Sequence, residues 1–170
     1  MSNTDFLLRE IVPTALWRTY PPNINYGQLT GLHKAAITDL QWSLISTSLY
    51  TTSADGTISI ADVATGERVK RIRAHRGVIN SIDRIVAGGT ELLVTGGDDG
   101  YVRIWDVGSD GSGDDAKDPA KEWVVGHPVT AVCWSADGAQ VYVGGLDNNI
   151  HVSEKPPDPF HILIHYVLGI

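Results

Sequence analysis

The chain has 170 residues, 42% of them hydrophobic, which suits one domain with a packed core. Its formal net charge of −7 argues against non-specific nucleic-acid binding, which needs many Lys and Arg to neutralise phosphates. The single cysteine, Cys133, excludes an internal disulfide and fits a reducing cytosolic or nuclear compartment. Residues 1–17 lack the basic start and apolar run of a signal peptide, and the apolar stretch 160–170 is far shorter than the ~20 residues that cross a bilayer, so neither export nor membrane insertion is expected.

Residues 1–14 read as a non-repeat segment. From there a repeating unit takes over, and it is clearest where Tyr50-Thr-Thr-Ser-Ala-Asp-Gly-Thr-Ile-Ser-Ile-Ala-Asp62 superposes without a gap on Val94-Thr-Gly-Gly-Asp-Asp-Gly-Tyr-Val-Arg-Ile-Trp-Asp106. A third copy runs Tyr142-Val-Gly-Gly-Leu-Asp-Asn-Asn-Ile-His-Val152. The aspartates Asp55, Asp99 and Asp147 therefore recur at close to the ~40–45 residues of one repeat, the second interval being slightly longer. Its extra length is the Gly/Ser/Asp-rich stretch 108–118, expected to be a flexible surface loop.

Within each unit apolar and polar residues alternate, as in Thr38-Asp-Leu-Gln-Trp42 and Thr130-Ala-Val-Cys-Trp134, so alternate side chains share one face of a strand. The first whole unit predicts strands near 37–42, 48–53, 57–62 and 67–73. Asp55-Gly56, Asp99-Gly100 and Asp147-Asn148 fall between such runs and tolerate the positive φ of a tight hairpin. Residues 15–152 thus read as the end of one unit, two whole units and the start of another. Residues 153–170, beginning Ser153-Glu-Lys-Pro-Pro-Asp-Pro, read as a non-repeat tail. A common intron start read in frame would encode Val152-Ser153, so a retained intron or faulty gene model is expected at that junction.

These motifs resemble those of the WD40-repeat family, whose name comes from the dipeptide seen here as Trp105-Asp106. Ala61-Asp62 occupies its place in the unit before, and Leu16-Trp17 looks like the same strand of a blade that began upstream. The resemblance implies an all-β fold: a partial WD40 β-propeller of about three blades, each a four-stranded antiparallel sheet. It also implies a hydrogen-bonded group of His, Ser or Thr, Asp and Trp in each blade. The residues expected there are His33, Ser53 and Asp55 with Ala61 replacing Trp, then His75, Asp99 and Trp105 with Gly97 replacing the hydroxyl, then Asp147 with Ser153 replacing Trp. His127 lies two residues closer to its strand than His33 and His75 do, and is not expected to join that group. A full propeller of this kind has about seven blades, so an arc of one is expected, with exposed apolar faces and unpaired edges.

Other chemistry can be weighed on the same residues. His33, Ser53 and Asp55 could compose a hydrolase triad, but a nucleophile must face a pocket with an oxyanion hole, and the next unit has Gly97 where Ser53 stands. His161 and His165, spaced i, i+4, supply too few ligands for zinc. The glycine pairs Gly96-Gly97 and Gly144-Gly145 do not form a phosphate loop. The basic run Arg68-Val-Lys-Arg-Ile-Arg73 reads as an outer edge strand that resists aggregation. No catalytic, cofactor or metal residue is therefore expected.

Within the WD40 family, Asp62-Val-Ala-Thr-Gly-Glu-Arg-Val-Lys-Arg-Ile-Arg-Ala-His75 and Gly144-Gly-Leu-Asp-Asn-Asn-Ile150 are similar to blades of WD40 subunits of the U5 small nuclear ribonucleoprotein. That likeness implies a nuclear scaffold for pre-mRNA splicing, with spliceosomal proteins as partners, RNA contacted only indirectly or weakly, and no membrane or small-molecule substrate. The contact surface is expected at the blade-top loops, near Lys34, Ala54, Arg76, Asp98 and Leu146. An adaptor of another complex, such as a ubiquitin ligase or chromatin assembly, is the alternative, and a serine hydrolase is a remote one.

Overall fold

The computed structural model describes residues 14–17, 25–108, 118–154 and 164–167. Among them are fourteen strands, all paired antiparallel, and no helix. Strands β1 (Thr14–Trp17) and β2 (Asn25–Leu29) form a two-stranded sheet. The first four-stranded sheet contains β3 (Ile37–Trp42), β4 (Ser48–Ser53), β5 (Thr57–Asp62) and β6 (Arg68–Arg73) in chain order. The second contains β7 (Ile79–Ala87), β8 (Thr90–Gly97), β9 (Tyr101–Asp106) and β10 (Lys121–Val124). The third contains β11 (Val129–Trp134), β12 (Gln140–Gly145), β13 (Ile150–Glu154) and β14 (Ile164–Val167).

Short hairpins set this order. Gly56, Gly100 and Asn148 adopt φ of 76°, 74° and 62°, so the left-handed residue follows the repeated aspartate in all three sheets. At the other end, Asp62 Oδ1 accepts the amides of Ala64 and Thr65 at 2.8 Å each, and Asp106 Oδ1 accepts that of Gly108 at 2.9 Å, which closes the turn after β5 and β9.

The core lies between the sheets. On β4, Leu49 packs with Leu16, Leu29, Leu32 and Ala61, while its neighbour Tyr50 packs with Ile58, Ile72, Ile79, Ile82, Leu93 and Trp105. On β8 the same alternation sends Leu93 to that cluster and Val94 to a third, with Val102, Ile104, Trp123, Val129, Val132, Val141 and Val143. Each central strand therefore buries both faces, and each such side chain contributes ~1.5–3 kcal/mol only while a neighbouring sheet covers it. The first strands lie side by side, β3 against β7 and β7 against β11. Their amides find partners across the gap: Ile82 N donates to Asp39 Oδ2 at 3.0 Å, Val132 N to Ser81 Oγ at 3.3 Å and Trp134 N to Asp83 Oδ2 at 2.7 Å.

One expectation meets a different picture. The sheet pattern does not stop at Val152: β13 runs through Ser153 to Glu154, and Ile164–Val167 pairs with it from Ile150↔Val167 to Ser153↔Ile164, giving the third sheet its fourth strand. Four residues after a proline-rich stretch carry too little alternation to be read as a strand without their partner. The expected loop at 108–118 falls outside the described residues over 109–117, as do residues 1–13 and His161.

Candidate functional site

The repeated His and Asp residues meet at one end of the sheets, where each hairpin faces the loop leading into its own sheet. In the second sheet His75, its side chain fully buried, donates from Nδ1 to Asp99 Oδ1 at 2.8 Å. Its Nε2 lies 2.9 Å from Thr95 Oγ1, which also accepts the Trp105 indole N–H at 2.9 Å. A carboxylate can only accept, so Nδ1 bears the proton and Nε2 accepts from the Thr95 hydroxyl, which links Trp105, Thr95, His75 and Asp99 with His75 neutral. Burial lowers the His75 pKa further than the Asp99 carboxylate restores it. Burial on its own would raise Asp99, but the hydrogen bonds from His75 and Arg103 outweigh it and hold the carboxyl at about 2. Arg103 Nη1 reaches Asp99 Oδ2 at 2.9 Å and its Nε reaches Glu122 Oε2 at 2.9 Å.

The first sheet builds the same group with one more link. His33 Nε2 lies 2.8 Å from Thr51 Oγ1, and Nδ1 lies 3.0 Å from Thr57 Oγ1, whose hydroxyl donates to Asp55 Oδ1 at 2.5 Å. Arg71 Nη2 neutralises Asp55 from β6 at 3.1 Å. Burial lowers the His33 pKa as it does that of His75. The place of Trp105 is held by Ala61, fully buried, and Leu16, Leu29, Leu32 and Leu49 close around it. The apolar place of the indole is thus filled in part by leucines of neighbouring strands and the loop before β3.

The hydroxyl in this chain is therefore Thr51 and not Ser53. Ser53 Oγ donates to Ala35 O at 3.2 Å and accepts the Asp55 amide at 3.1 Å. The triad reading fails on the same geometry, because Ser53 is fully buried and the His33 ring meets Thr51 and Thr57. Likewise Gly97 is not a lost hydroxyl, since Thr95 supplies it. A Cβ at Gly97 would fall 2.9 Å from His75 Nδ1 and 2.7 Å from Val78 O, so this glycine is the seat of the imidazole. Thr51 and Thr95 superpose in the aligned repeats. Residues i and i+2 share a face of a strand, however, and alternation alone cannot say which of the pair lies at the depth of the ring.

In the third sheet two rings meet Asp147 Oδ2: His151 Nε2 donates to it at 2.7 Å and His127 Nε2 lies 2.9 Å from it. His127, left out on spacing, thus reaches the hairpin carboxylate by its other nitrogen. His151 carried no sequence signal beyond superposing on Arg103. Burial would raise the Asp147 pKa, but hydrogen bonds from Asn149 and His151 hold it well below the usual carboxylate range.

The carboxylates also fix the loops expected to touch partners. Lys34 N donates to Asp55 Oδ2 at 2.8 Å and Arg76 N to Asp99 Oδ2 at 3.2 Å, which leaves both side chains exposed immediately after the anchored histidines. Asp98 is exposed and accepts from Asn80 Nδ2 at 2.7 Å, Leu146 is 67% exposed, and Ala54 is half-buried. The structure brings all five to the end that carries Asp55, Asp99 and Asp147.

Comparison with known proteins agrees with this architecture. The family model "WD domain, G-beta repeat" matches residues 28–62, 66–106 and 120–152. The pre-mRNA-splicing factor cwf17 of Schizosaccharomyces pombe is 36% identical over 137 residues, 81% of this chain and 38% of that protein. The U5 small nuclear ribonucleoprotein 40 kDa protein of Dictyostelium discoideum is 39% identical over 150 residues, 87% of this chain and 40% of that protein. The chain thus spans about two fifths of the length of these relatives. In fold, it is similar to the β-propeller domain of Myceliophteria thermophila Cps50 (Swd1), with a TM-score of 0.64 at 16% identity over 81% of this chain and 41% of that one. With its repeats matched over most of their length and its sheets arranged as propeller blades, the chain belongs to the WD40-repeat family.

Proposed function

We propose that this chain is a protein-binding scaffold of pre-mRNA splicing, acting in the nucleus within the U5 small nuclear ribonucleoprotein. The observation that carries this reading is that relatives at 36% and 39% identity, each matched over more than four fifths of the chain, bear the names of splicing proteins. The geometry supports a binding role: the hairpin carboxylates hold a set of loops outward. Lys34, Ala54, Arg76, Asp98 and Leu146 form the contact surface in this reading. Charged side chains beside an exposed leucine suit a protein partner, where apolar contact supplies affinity and charge supplies specificity. The net charge of −7 leaves RNA as an indirect or weak contact.

Affinity purification of the tagged chain from nuclear extract, with mass spectrometry, tests the reading. U5 proteins should be enriched, and Arg76→Glu with Leu146→Asp should reduce their recovery at least tenfold while the circular dichroism spectrum is unchanged. Recovery of ubiquitin-ligase or chromatin-assembly subunits in their place would overturn it in favour of an adaptor of another complex.

A further inference from the structure

The third blade departs from the other two at several equivalent positions together. Val143 superposes on Thr51 and Thr95, Ser153 on Ala61 and Trp105, and His151 on Ser59 and Arg103. With no hydroxyl at 143, the His127 ring turns its Nε2 to the carboxylate, and its Nδ1 is buried without a hydrogen-bond partner. The cation that neutralises the hairpin aspartate in the first two blades, Arg71 at 3.1 Å and Arg103 at 2.9 Å, has no counterpart among the described residues: the ion pairs of Asp147 there are those with His127 and His151. Two imidazole nitrogens thus converge on one carboxylate oxygen, and the three donor atoms lie within 4.8 Å of one another. The ring centroids are 5.2 Å apart.

We propose that His127 Nε2, His151 Nε2 and an Asp147 carboxylate oxygen form a binding site for a divalent first-row transition metal, with zinc the ion that suits them best. Zinc takes imidazole nitrogen and carboxylate oxygen at ~2.0–2.2 Å, so its ligand atoms stand ~3.4 Å apart in a tetrahedral set. That spacing lies between the 2.7 and 2.9 Å nitrogen–oxygen distances and the 4.8 Å bound of the cluster. Small side-chain rotations open that spacing, each ring carrying its proton on Nδ1 so that a neutral imidazole presents the Nε2 lone pair to the metal. Two imidazoles select zinc, copper, nickel or cobalt over magnesium and calcium, which want oxygen.

The surroundings permit the exchange. A Cβ at Gly145 would fall 2.8 Å from His127 Nδ1, so the bare backbone there lets the ring lie flat against the hairpin. The side chains of His127 and Asp147 are 23% and 21% exposed, which gives an ion entry from solvent and water to complete its coordination. His127 Nδ1 has no outer partner to orient the ring, so binding is weaker than at a fully supported site by the roughly 10–100-fold such partners contribute.

Equilibrium dialysis of the tag-free, chelator-stripped chain against Zn²⁺ tests the site, with Co²⁺ substitution read by its visible absorption. About one zinc per chain should be retained in the presence of excess Mg²⁺, with a tetrahedral cobalt spectrum. His127→Gln, on the partly exposed ring, and Asp147→Asn, which keeps the shape of the carboxylate, should each weaken binding more than tenfold at unchanged circular dichroism, while Cys133→Ser should leave it unaltered. Absence of retained zinc, or retention undiminished in folded His127→Gln and Asp147→Asn, would overturn the proposal.

Discussion

At the scale of single residues, the buried imidazoles set the chain's response to acid. His33 and His75 are neutral in the fold and have pKa values below their ordinary 6.5, so the unfolded chain takes up protons first as pH falls. Their contribution is complete above 6.5 and declines below it; a second loss begins under 3.8, where Asp99 protonates in the unfolded chain while the folded carboxyl holds out to about 2. Urea denaturation across pH 7.5 to ~3 should show both steps, and His75→Gln should flatten the upper one. Two substitutions separate the roles of Thr95 and Gly97. Thr95→Val leaves His75 Nε2 and the Trp105 N–H without their shared partner and should cost ~1–3 kcal/mol. Gly97→Ser, which would place a hydroxyl where Ser53 stands, should also destabilise by ~1–3 kcal/mol, because its Cβ meets His75 and the Val78 carbonyl. Trp105→Ala should cost more, ~3–5 kcal/mol, since Trp105 is buried among Tyr50, Ile79, Ile82 and Leu93 and its loss opens a cavity between them.

Strands and hairpins carry the contacts between blades. Gly96 faces the third blade, where a Cβ would fall 2.3 Å from Val129 Cγ1 and 2.9 Å from Val132 Cγ1, so Gly96→Ala must push two sheets apart. Gly144 superposes on it in the next unit, but its nearest obstacle is Ala131 Cβ at 3.8 Å. Thermal denaturation should therefore place Gly96→Ala well below the parent chain and Gly144→Ala level with it or slightly above, given the entropy that glycine loses on folding. The same reasoning applies to the third hairpin: Asn148→Gly removes the steric cost of φ 62° and should raise stability by a few tenths to one kcal/mol.

For the molecule as a whole, stability is shared between neighbours along a line of sheets, as in other repeat folds. Leu40 and Trp42 point outward from one face of β3 at 42% and 39% exposure, and Leu44 and Ile45 follow in the next turn at 60% and 75%. So much apolar surface in one region favours contact with another chain. Sedimentation velocity should find concentration-dependent self-association, reduced by Leu40→Lys with Ile45→Lys; a monomer at all concentrations would refute this.

The sequence by itself determined the repeat, the strands of the first blade and the three hairpins, because alternation and Asp-Gly or Asp-Asn turns are local signals that need no distant partner. The strands observed at Ile37–Trp42, Ser48–Ser53, Thr57–Asp62 and Arg68–Arg73 follow that pattern almost residue for residue. Which hydroxyl meets His33, why Gly97 is bare, how His127 and His151 share Asp147, and that Ile164–Val167 completes a sheet were decided only in three dimensions. Each depends on depth within a strand or on the approach of another segment, and a period of two is blind to both.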